Sequence, residues 1–431
     1  MNIRFYHARI LTMESTEILE GEVWVQGEHI LYVGDGSDVD RVYGKLALGS
    51  IVWDREIDCE GNLLMPGFKN AHTHSGMTVL RSYADDLPLQ EWLQEQIFPV
   101  EARLQEDMIY ELVKLAILEY LTSGITSIFD MYLMPQPIAK ACIDMGMRCR
   151  IVGAVNNFTQ SVAMVDQMYV EMNRIHPLIT YCLGFHAEYT CSREILEGIA
   201  ALAQKYQASV YTHLAETKKE VAECIGRYQM TPTKFLDSLG MFRYGGGGYH
   251  CVYMDEEDID IFEQKGLHVV TNPASNMKLA SGIAPIAEYL RRGINVAIGT
   301  DGPASNNCLD MFREMFLVTG LAKLREQDAS AVDAIEVLKM ATVNGAKAMD
   351  LQKADVLAAG KLADMIMIDL QKPNMQPVNN IAKNIVYSGS KQNVKMTMIN
   401  GKILYEDGKF ADHIDAEAIY RKANEILREI G

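Results

Sequence analysis

The sequence lacks the features of secreted and membrane-spanning proteins. Its eight cysteines form no CxxC pair and no regular framework, so buried thiols of a reducing compartment are expected rather than disulfides. The first residues carry no long apolar region of the signal-peptide type. No uncharged apolar run reaches the length of about 18 residues that a spanning helix needs. We therefore predict a cytoplasmic protein with no membrane partner.

Basic residues are fewer than acidic residues. Forty Lys and Arg stand against 57 Asp and Glu, which gives a net charge of −17. Nucleic acids and anionic membranes require a basic surface, so neither is expected as a partner. The charge balance says nothing more about the substrate, since acidic surfaces are common for solubility alone; a small-molecule substrate is expected from the site described below, and a homo-oligomer stays open. A chain of 431 residues is longer than one simple hydrophobic core usually serves, so two lobes or one large barrel with an appendage are expected.

Short β-type segments separated by turns occupy both ends of the chain. The Asn-Gly pair at 400–401 is a strong hairpin signal within the C-terminal group. Two separated β-rich ends predict one small β-sandwich domain built from both termini around a central insertion. We predict its N-terminal part over residues 1–65 and its C-terminal part, followed by a terminal helix, over residues 358–431.

Residues 66–357 read as an alternation of apolar strands and amphipathic helices. Eight apolar runs alternate with helical patterns, starting with Leu63–Pro66 and ending with Asn295–Ile298. Eight strands over about 290 residues match a (β/α)₈ barrel in length and rhythm. An open doubly wound sheet would favour a glycine-rich nucleotide fingerprint after the first strand, and none is present. The predicted fold class is α/β, a (β/α)₈ TIM-type barrel with the small β-sandwich domain.

A His-x-His pair, His72 and His74, follows the first apolar run. In extended backbone, residues i and i+2 share one face, so two imidazoles at this spacing can reach one metal ion. The absence of nearby cysteine favours a catalytic over a structural metal site, because structural zinc usually takes thiolates. Taken alone, the pair is equally compatible with two incidental histidines in a loop.

Four further polar residues end predicted strands, where a barrel carries its functional groups. They are His186, His213, His250 and Asp301. Each has a structural alternative, since a histidine can pack in the core and an aspartate can cap a turn. Their concentration at one mouth of the barrel favours a metal site over those alternatives.

His72, His74, His213 and Asp301 form a three-imidazole, one-carboxylate set that leaves a position for water. This set predicts one divalent metal, zinc, with iron(II) or manganese as alternatives. Such a metal lowers the pKa of its water toward neutrality. Glu216, three positions after His213, places a carboxylate near the metal without making it a ligand, as a general acid/base requires. The combination predicts hydrolysis.

Six motifs carry a resemblance to a known family. They are PGFKNAHTH (66–74), LPLQEWLQEQIFPVE (87–101), GFHAEYT (184–190), THLAET (212–217), HCV (250–252) and IGTDGPASNN (298–307). With these motifs the sequence resembles the amidohydrolase superfamily, and more closely its methylthioadenosine/S-adenosylhomocysteine deaminase branch. The resemblance implies a barrel within a β-sandwich. It also implies a metal-dependent aminohydrolase that converts an adenosine-type nucleoside to the inosine analogue and ammonia.

The resemblance also implies residue roles. The metal would be held by His72, His74, His213 and Asp301. Glu216 would contact the substrate and pass a proton to the purine ring nitrogen, and His250 would orient the attacking hydroxide. Asp301 would take the proton of the water and pass it to the leaving ammonia. Glu101, His186 and Ser305 match substrate-binding positions.

Two residues depart from the family pattern. Gly153 stands where relatives acting on methylthioadenosine carry an arginine, and Glu188 replaces the proline of the usual HAPYT. Loss of a cation and gain of an anion at the mouth would disfavour the amino-acid carboxylate of S-adenosylhomocysteine. A neutral 5′ group, or a different aminated heterocycle, is therefore expected.

Two other functions remain open at this point. The same site could hydrolyse another aminated or halogenated heterocycle, such as guanine, a pterin or an s-triazine. The protein could also be a non-catalytic scaffold, although such proteins usually lose metal ligands and all four candidates are present here.

Overall fold

The computed structural model describes residues 1–37 and 51–430. Its strands in chain order are β1 (Asn2–Leu11), β2 (Ile18–Gln26), β3 (His29–Gly34), β4 (Arg55–Asp58), β5 (Leu63–Pro66), β6 (Phe68–Thr73), β7 (Ile125–Met131), β8 (Arg148–Val152), β9 (Ile179–Ala187), β10 (Val210–Leu214), β11 (Gly246–His250), β12 (His268–Thr271), β13 (Asn295–Ile298), β14 (Met365–Ile368), β15 (Val394–Ile399), β16 (Lys402–Glu406) and β17 (Lys409–Phe410).

Helices alternate with the central strands and close the chain. A continuous helical segment runs through Leu89–Glu91, a π-helical turn at Trp92–Ile97, and Phe98–Glu101. The other α-helices span Glu106–Thr122, Pro135–Met145, Val162–Ile175, Arg193–Tyr206, Lys218–Tyr228, Pro232–Ser238, Glu256–Lys265, Pro273–Lys278, Ile286–Arg291, Met311–Glu326, Ala334–Ala341, Val343–Ala348, Ile381–Tyr387 and Ala416–Ile430. Within the described ranges, no helix combines the length and apolar character needed to cross a membrane.

Strands β6 to β13 form the barrel. They lie side by side in chain order and pair in parallel. The barrel nearly closes where β13 returns beside β6, since the Asp301 amide donates to the His72 carbonyl at 3.0 Å. Parallel strands bring their C-terminal ends to one mouth. The predicted α/β barrel is confirmed.

The two chain ends build the second sheet. Its strand order is β17-β16-β15-β14-β5-β1-β2-β3, with β4 paired to β1. The Asn-Gly pair at 400–401 joins β15 to β16 with positive φ at both residues, as the hairpin signal predicted. The β-domain built from both termini is confirmed, whereas its boundaries at 65/66 and 357/358 stay predictions. Residues 38–50 of its predicted N-terminal part lie outside the described residues.

The predicted first barrel strand was wrong. Leu63–Pro66 is β5 of the terminal sheet, where it pairs with β1 and β14. The barrel begins with Phe68–Thr73, after the chain crosses at Gly67. A Cβ at Gly67 would lie 2.1 Å from the Thr126 side chain, which explains the glycine at this crossing. Both segments are buried on both faces, so neither alternates between apolar and polar residues, and the more apolar Leu63–Pro66 gives the stronger strand signal.

A buried ion pair joins the barrel to the terminal sheet. Arg148 of β8 donates to both carboxylate oxygens of Asp364, at 2.5 and 3.0 Å. Their side chains are 5% and 0% exposed. Burial alone would raise the pKa of Asp364, but the Arg148 guanidinium holds that pKa below its usual value. The stabilisation from this carboxylate is therefore present at neutral pH and lost as the pH falls through its folded-state pKa.

We expect Arg148→Met to lower the free energy of unfolding by about 3–5 kcal/mol at neutral pH, because it leaves a buried carboxylate unpaired. Chemical denaturation monitored by circular dichroism measures this loss. The double variant Arg148→Met/Asp364→Leu should regain most of the stability, since an apolar pair of similar volume is often tolerated. A double variant as unstable as the single one would contradict this account of the junction.

Candidate active site

Three imidazoles and one carboxylate converge at the mouth of the barrel. The Nε2 atom of His213, on β10, lies 3.2 Å from Nε2 of His72 and 3.4 Å from Nε2 of His74. Two nitrogens bound at 2.0–2.1 Å to one tetrahedral metal lie about 3.3 Å apart. Asp301, just after β13, places Oδ1 3.1 Å from Nε2 of His74 and 3.5 Å from Nε2 of His72. The spacing fits four donors to a single divalent metal.

The rings are oriented by contacts on their outer side. These are His74 Nδ1 with the Met131 carbonyl, His213 Nδ1 with the His186 carbonyl at 2.7 Å, and His250 Nδ1 with the Asn276 side-chain oxygen at 2.7 Å. A proton on Nδ1 donates to each oxygen and leaves the Nε2 lone pair facing the centre. This tautomer is the one that a metal-binding imidazole requires.

The charges of these groups also fit a cation. Burial lowers the pKa of His72 to about 3 and holds the pKa of His213 well below its usual value, so both are neutral at pH 7. Burial would raise the pKa of Asp301, yet contacts from His72 and His74 hold it well below the usual range. Burial opposes protonation of His74 as well, but the Asp301 carboxylate raises its pKa. A carboxylate that stabilises positive charge at this point favours a bound metal ion.

His250 lies at the edge of the same cluster. Its ligand atom and those of His72, His213 and Asp301 all lie within 4.8 Å of one another. Nε2 of His250 is 3.9 Å from Oδ2 of Asp301 and 3.7 Å from Oε2 of Glu216. His74 approaches the centre more closely than His250 does. The shorter distances therefore favour His74 as the fourth ligand, with His250 between Asp301 and Glu216.

Glu216 is held in place by groups that the sequence reasoning missed. Its Oε1 accepts a hydrogen bond from Ser281 Oγ at 2.9 Å. Glu220 accepts from the backbone amides of Ala215 and Glu216, both at 2.8 Å, and so fixes the turn. The T-x-x-E capping box formed by Thr217 and Glu220 was the signal that could have found it. Burial raises the pKa of Glu216, which favours its action as a proton carrier.

Asp301 has a further support outside the predicted set. Ser275 Oγ donates to its Oδ2 at 2.6 Å, which orients the carboxylate. The backbone at His250 and Asp301 has positive φ, at 69° and 57°. Non-glycine residues in this region are strained, and such strain concentrates at functional sites. The local backbone therefore agrees with the side-chain geometry.

A cavity of about 590 Å³ opens above these groups. Every residue predicted to bind substrate lines it, namely Glu101, His186, Glu216 and Ser305. Burial raises the pKa of Glu101 to about 7. One wall is apolar and is formed by the helical segment 89–101. The structure thus brings the predicted site residues to one enclosed space, with His72 beneath its floor.

The expectation for Glu188 was wrong. It is buried, and Oε2 accepts a hydrogen bond from Arg227 Nη2 at 2.6 Å, so its charge is paired away from the cavity lining. Gly153 also lies outside the lining. A Cβ at that position would sit 2.8 Å from the Gly184 carbonyl oxygen of the neighbouring strand. The backbone here therefore has no room for a side chain at residue 153.

A parallel barrel with imidazoles and a carboxylate at its strand ends, beside a buried glutamate, defines a metal-dependent hydrolase of the barrel class. Comparison with known proteins supports the same class of hydrolase. The chain belongs to the amidohydrolase family, whose model matches residues 63–404.

Individual relatives cover nearly the whole chain. A 5-methylthioadenosine/S-adenosylhomocysteine deaminase from Caldicellulosiruptor saccharolyticus is 37% identical over 99% of this chain and 98% of its own length. A 5'-deoxyadenosine deaminase from Methanothermobacter thermautotrophicus is 40% identical over 83% of this chain and 85% of its own. The crystal structure of an adenosine deaminase from Xanthomonas campestris, with bound zinc, superimposes with a TM-score of 0.92. It is 32% identical and covers 100% of this chain and 98% of its own.

Proposed function

We propose that this protein hydrolytically deaminates an adenosine-type nucleoside to the inosine analogue and ammonia. The observation that carries the proposal is the position of Glu216, buried beside the cluster and linked to it through His250 at 3.7 Å. A carboxylate next to a metal centre, but outside its ligand set, is what proton transfer to a ring nitrogen of the heterocycle requires. The deaminases named among the relatives support the same reaction.

We propose one divalent metal, zinc, held by His72, His74, His213 and Asp301. Three imidazoles with one carboxylate suit zinc, and the Xanthomonas relative was crystallised with it. When bound, such a metal supplies Lewis acidity and lowers the pKa of a water toward neutrality. The unpaired cysteines fit a reducing compartment, so we place the reaction in the cytoplasm.

The protein's own residues then move the protons. In this proposal Glu216 protonates the ring nitrogen next to the reacting carbon, while His250 and Asp301 hold the attacking water and accept its proton. A carbon–oxygen bond forms and the carbon–nitrogen bond breaks; one proton of the water leaves with ammonia, and the other returns to Glu216, so that the product keeps the proton on its ring nitrogen. Glu101, His186 and Ser305 line the cavity around this point and bind the rest of the nucleoside.

We expect the zinc-loaded protein to release ammonia from adenosine, 5′-deoxyadenosine or 5′-methylthioadenosine at a higher kcat/KM than from guanine, a pterin or an amino-s-triazine. The reason is that the residues around the cavity match a nucleoside-binding pattern. A coupled assay for ammonia across this panel measures the preference. Faster turnover of guanine or a triazine would replace the proposal, and no turnover with zinc, manganese or iron(II) would favour a scaffold.

A further inference from the structure

We propose that the cavity selects adenosine-type nucleosides whose 5′ group is neutral and apolar, and disfavours those that carry an amino-acid carboxylate. The inference rests on the proposed function, since it names the substrate class within it. It matters because the named relatives include deaminases of S-adenosylhomocysteine, which carries such a carboxylate.

Acidic side chains line the cavity, but the permanently cationic side chains of the described residues do not. Glu101, Glu216 and Asp301 line it, and the lining within the described part of the chain contains no lysine or arginine. Glu216 and Asp301 act at the reacting end of the nucleoside, and a carboxylate on the 5′ tail would find no lysine or arginine anywhere in the described lining. A buried anion without a partner is costly, so this tail would have to remain in water.

Three cations on elements that reach the mouth, Arg148, Arg227 and Lys278, are held in ion pairs. Arg148 of β8 is bound to Asp364, and Arg227 is bound to Glu188. Lys278, at the end of the helix Pro273–Lys278, contacts Asp85 at 2.5 Å. Redirecting any of them toward a ligand would break an existing ion pair.

The backbone also prevents a cation from being supplied at Gly153. A Cβ there would lie 2.8 Å from the Gly184 carbonyl oxygen and 3.1 Å from the Tyr181 hydroxyl. The first contact is with backbone, which cannot give way as a flexible side chain can. This end of β8 therefore contributes no charged side chain to the mouth.

An apolar surface takes the place of a charged one. Leu89, Trp92, Leu93, Ile97 and Phe98 of the helical segment 89–101 all line the cavity. Phe158 lines it too and is 80% exposed. Part of this segment is a π-helical turn, a distortion common at functional sites. Together these side chains form a wall that suits an alkyl or thioether group.

The test compares 5′-thioether adenosines that differ only in the tail. The zinc-loaded protein is assayed with the methylthio compound, an unbranched neutral butylthio compound, a 3-aminopropylthio compound and S-adenosylhomocysteine. We expect kcat/KM for both neutral compounds to exceed that for S-adenosylhomocysteine by about tenfold or more, which corresponds to about 1.4 kcal/mol. The aminopropyl compound should fall between them, since its ammonium can pair with the acidic lining.

A substitution at the rim of the cavity tests whether charge causes the expected discrimination against the carboxylate tail. Gln94 is exposed and lines the cavity, so a longer cationic side chain fits there without breaking a buried contact. Gln94→Arg should raise kcat/KM for S-adenosylhomocysteine relative to methylthioadenosine severalfold, whereas the uncharged Gln94→Met should leave this ratio as in the wild type. Equal ratios in the two variants would overturn the explanation by charge.

The outcomes separate this inference from the proposed function. If the wild type uses S-adenosylhomocysteine as well as the neutral thioethers or better, the inference fails and the deaminase proposal stands. If neither these four compounds nor adenosine and 5′-deoxyadenosine release ammonia, the deaminase proposal itself fails.

Discussion

Glu216→Gln is expected to lower kcat by about 10³–10⁴-fold while the protein retains its metal. Glutamine has nearly the same size as glutamate and can still accept the hydrogen bond from Ser281, whose hydroxyl lies 2.9 Å from Oε1 of Glu216. It cannot carry a proton. The reaction requires proton transfer to the heterocycle, so the loss should fall on kcat and not on KM alone. Steady-state kinetics with metal analysis by mass spectrometry measures both quantities.

A matched variant on the helix Lys218–Tyr228 controls for the loss of a carboxylate at an exposed position. Glu223 is exposed, and Glu223→Gln should leave kcat and metal content as in the wild type. If Glu216→Gln loses its metal together with its activity, Glu216 is a ligand or a structural support and the assigned role is wrong.

His74→Ala and His250→Ala should separate metal binding from turnover. We expect His74→Ala to weaken zinc affinity by more than about 100-fold, since loss of even an outer partner of a metal ligand costs 10–100-fold. His250→Ala should keep near-stoichiometric zinc and lose kcat by about 10²–10⁴-fold, because His250 contacts the acid/base groups. The basis is geometric: Nε2 of His74 is 3.1 Å from Asp301, and Nε2 of His250 is 3.9 Å away.

Competition with a zinc chelator gives the affinities, and the zinc-dependent rise in melting temperature gives an independent readout. Loss of zinc by His250→Ala with retention by His74→Ala would place His250 in the ligand set instead. Asn276→Ala offers a milder comparison, since it removes only the 2.7 Å contact that orients His250.

The metal candidates were predictable because two local facts combine. Each of His72, His213 and Asp301 ends an apolar run, and parallel strands of a barrel bring their ends to one mouth. No long-range information was needed for that step. The choice of His74 over His250 came from the His-x-His spacing and the family resemblance, whereas in the structure it depends on a difference of less than 1 Å in their distances to Asp301.

Other features depend on tertiary contacts that leave no local pattern. Leu63–Pro66 and Phe68–Thr73 belong to different sheets, yet both are buried on both faces, so burial does not show in the sequence which of them enters the barrel. Glu188 was expected at the mouth because it replaces the proline of the family's HAPYT motif at the end of a strand. Its direction is set by Arg227, 39 residues further along the chain. Glu220 was missed because a capping box usually has only a local structural role.

The most direct test of the central claim follows the oxygen and nitrogen atoms of the reaction. The zinc-loaded protein is incubated with 5′-methylthioadenosine in ¹⁸O-labelled water, and the products are analysed by mass spectrometry and by an ammonia assay. The account predicts one ammonia per substrate consumed, and an inosine-type product that carries one ¹⁸O atom. An unchanged substrate, or a product formed without ammonia and without solvent oxygen, would contradict it.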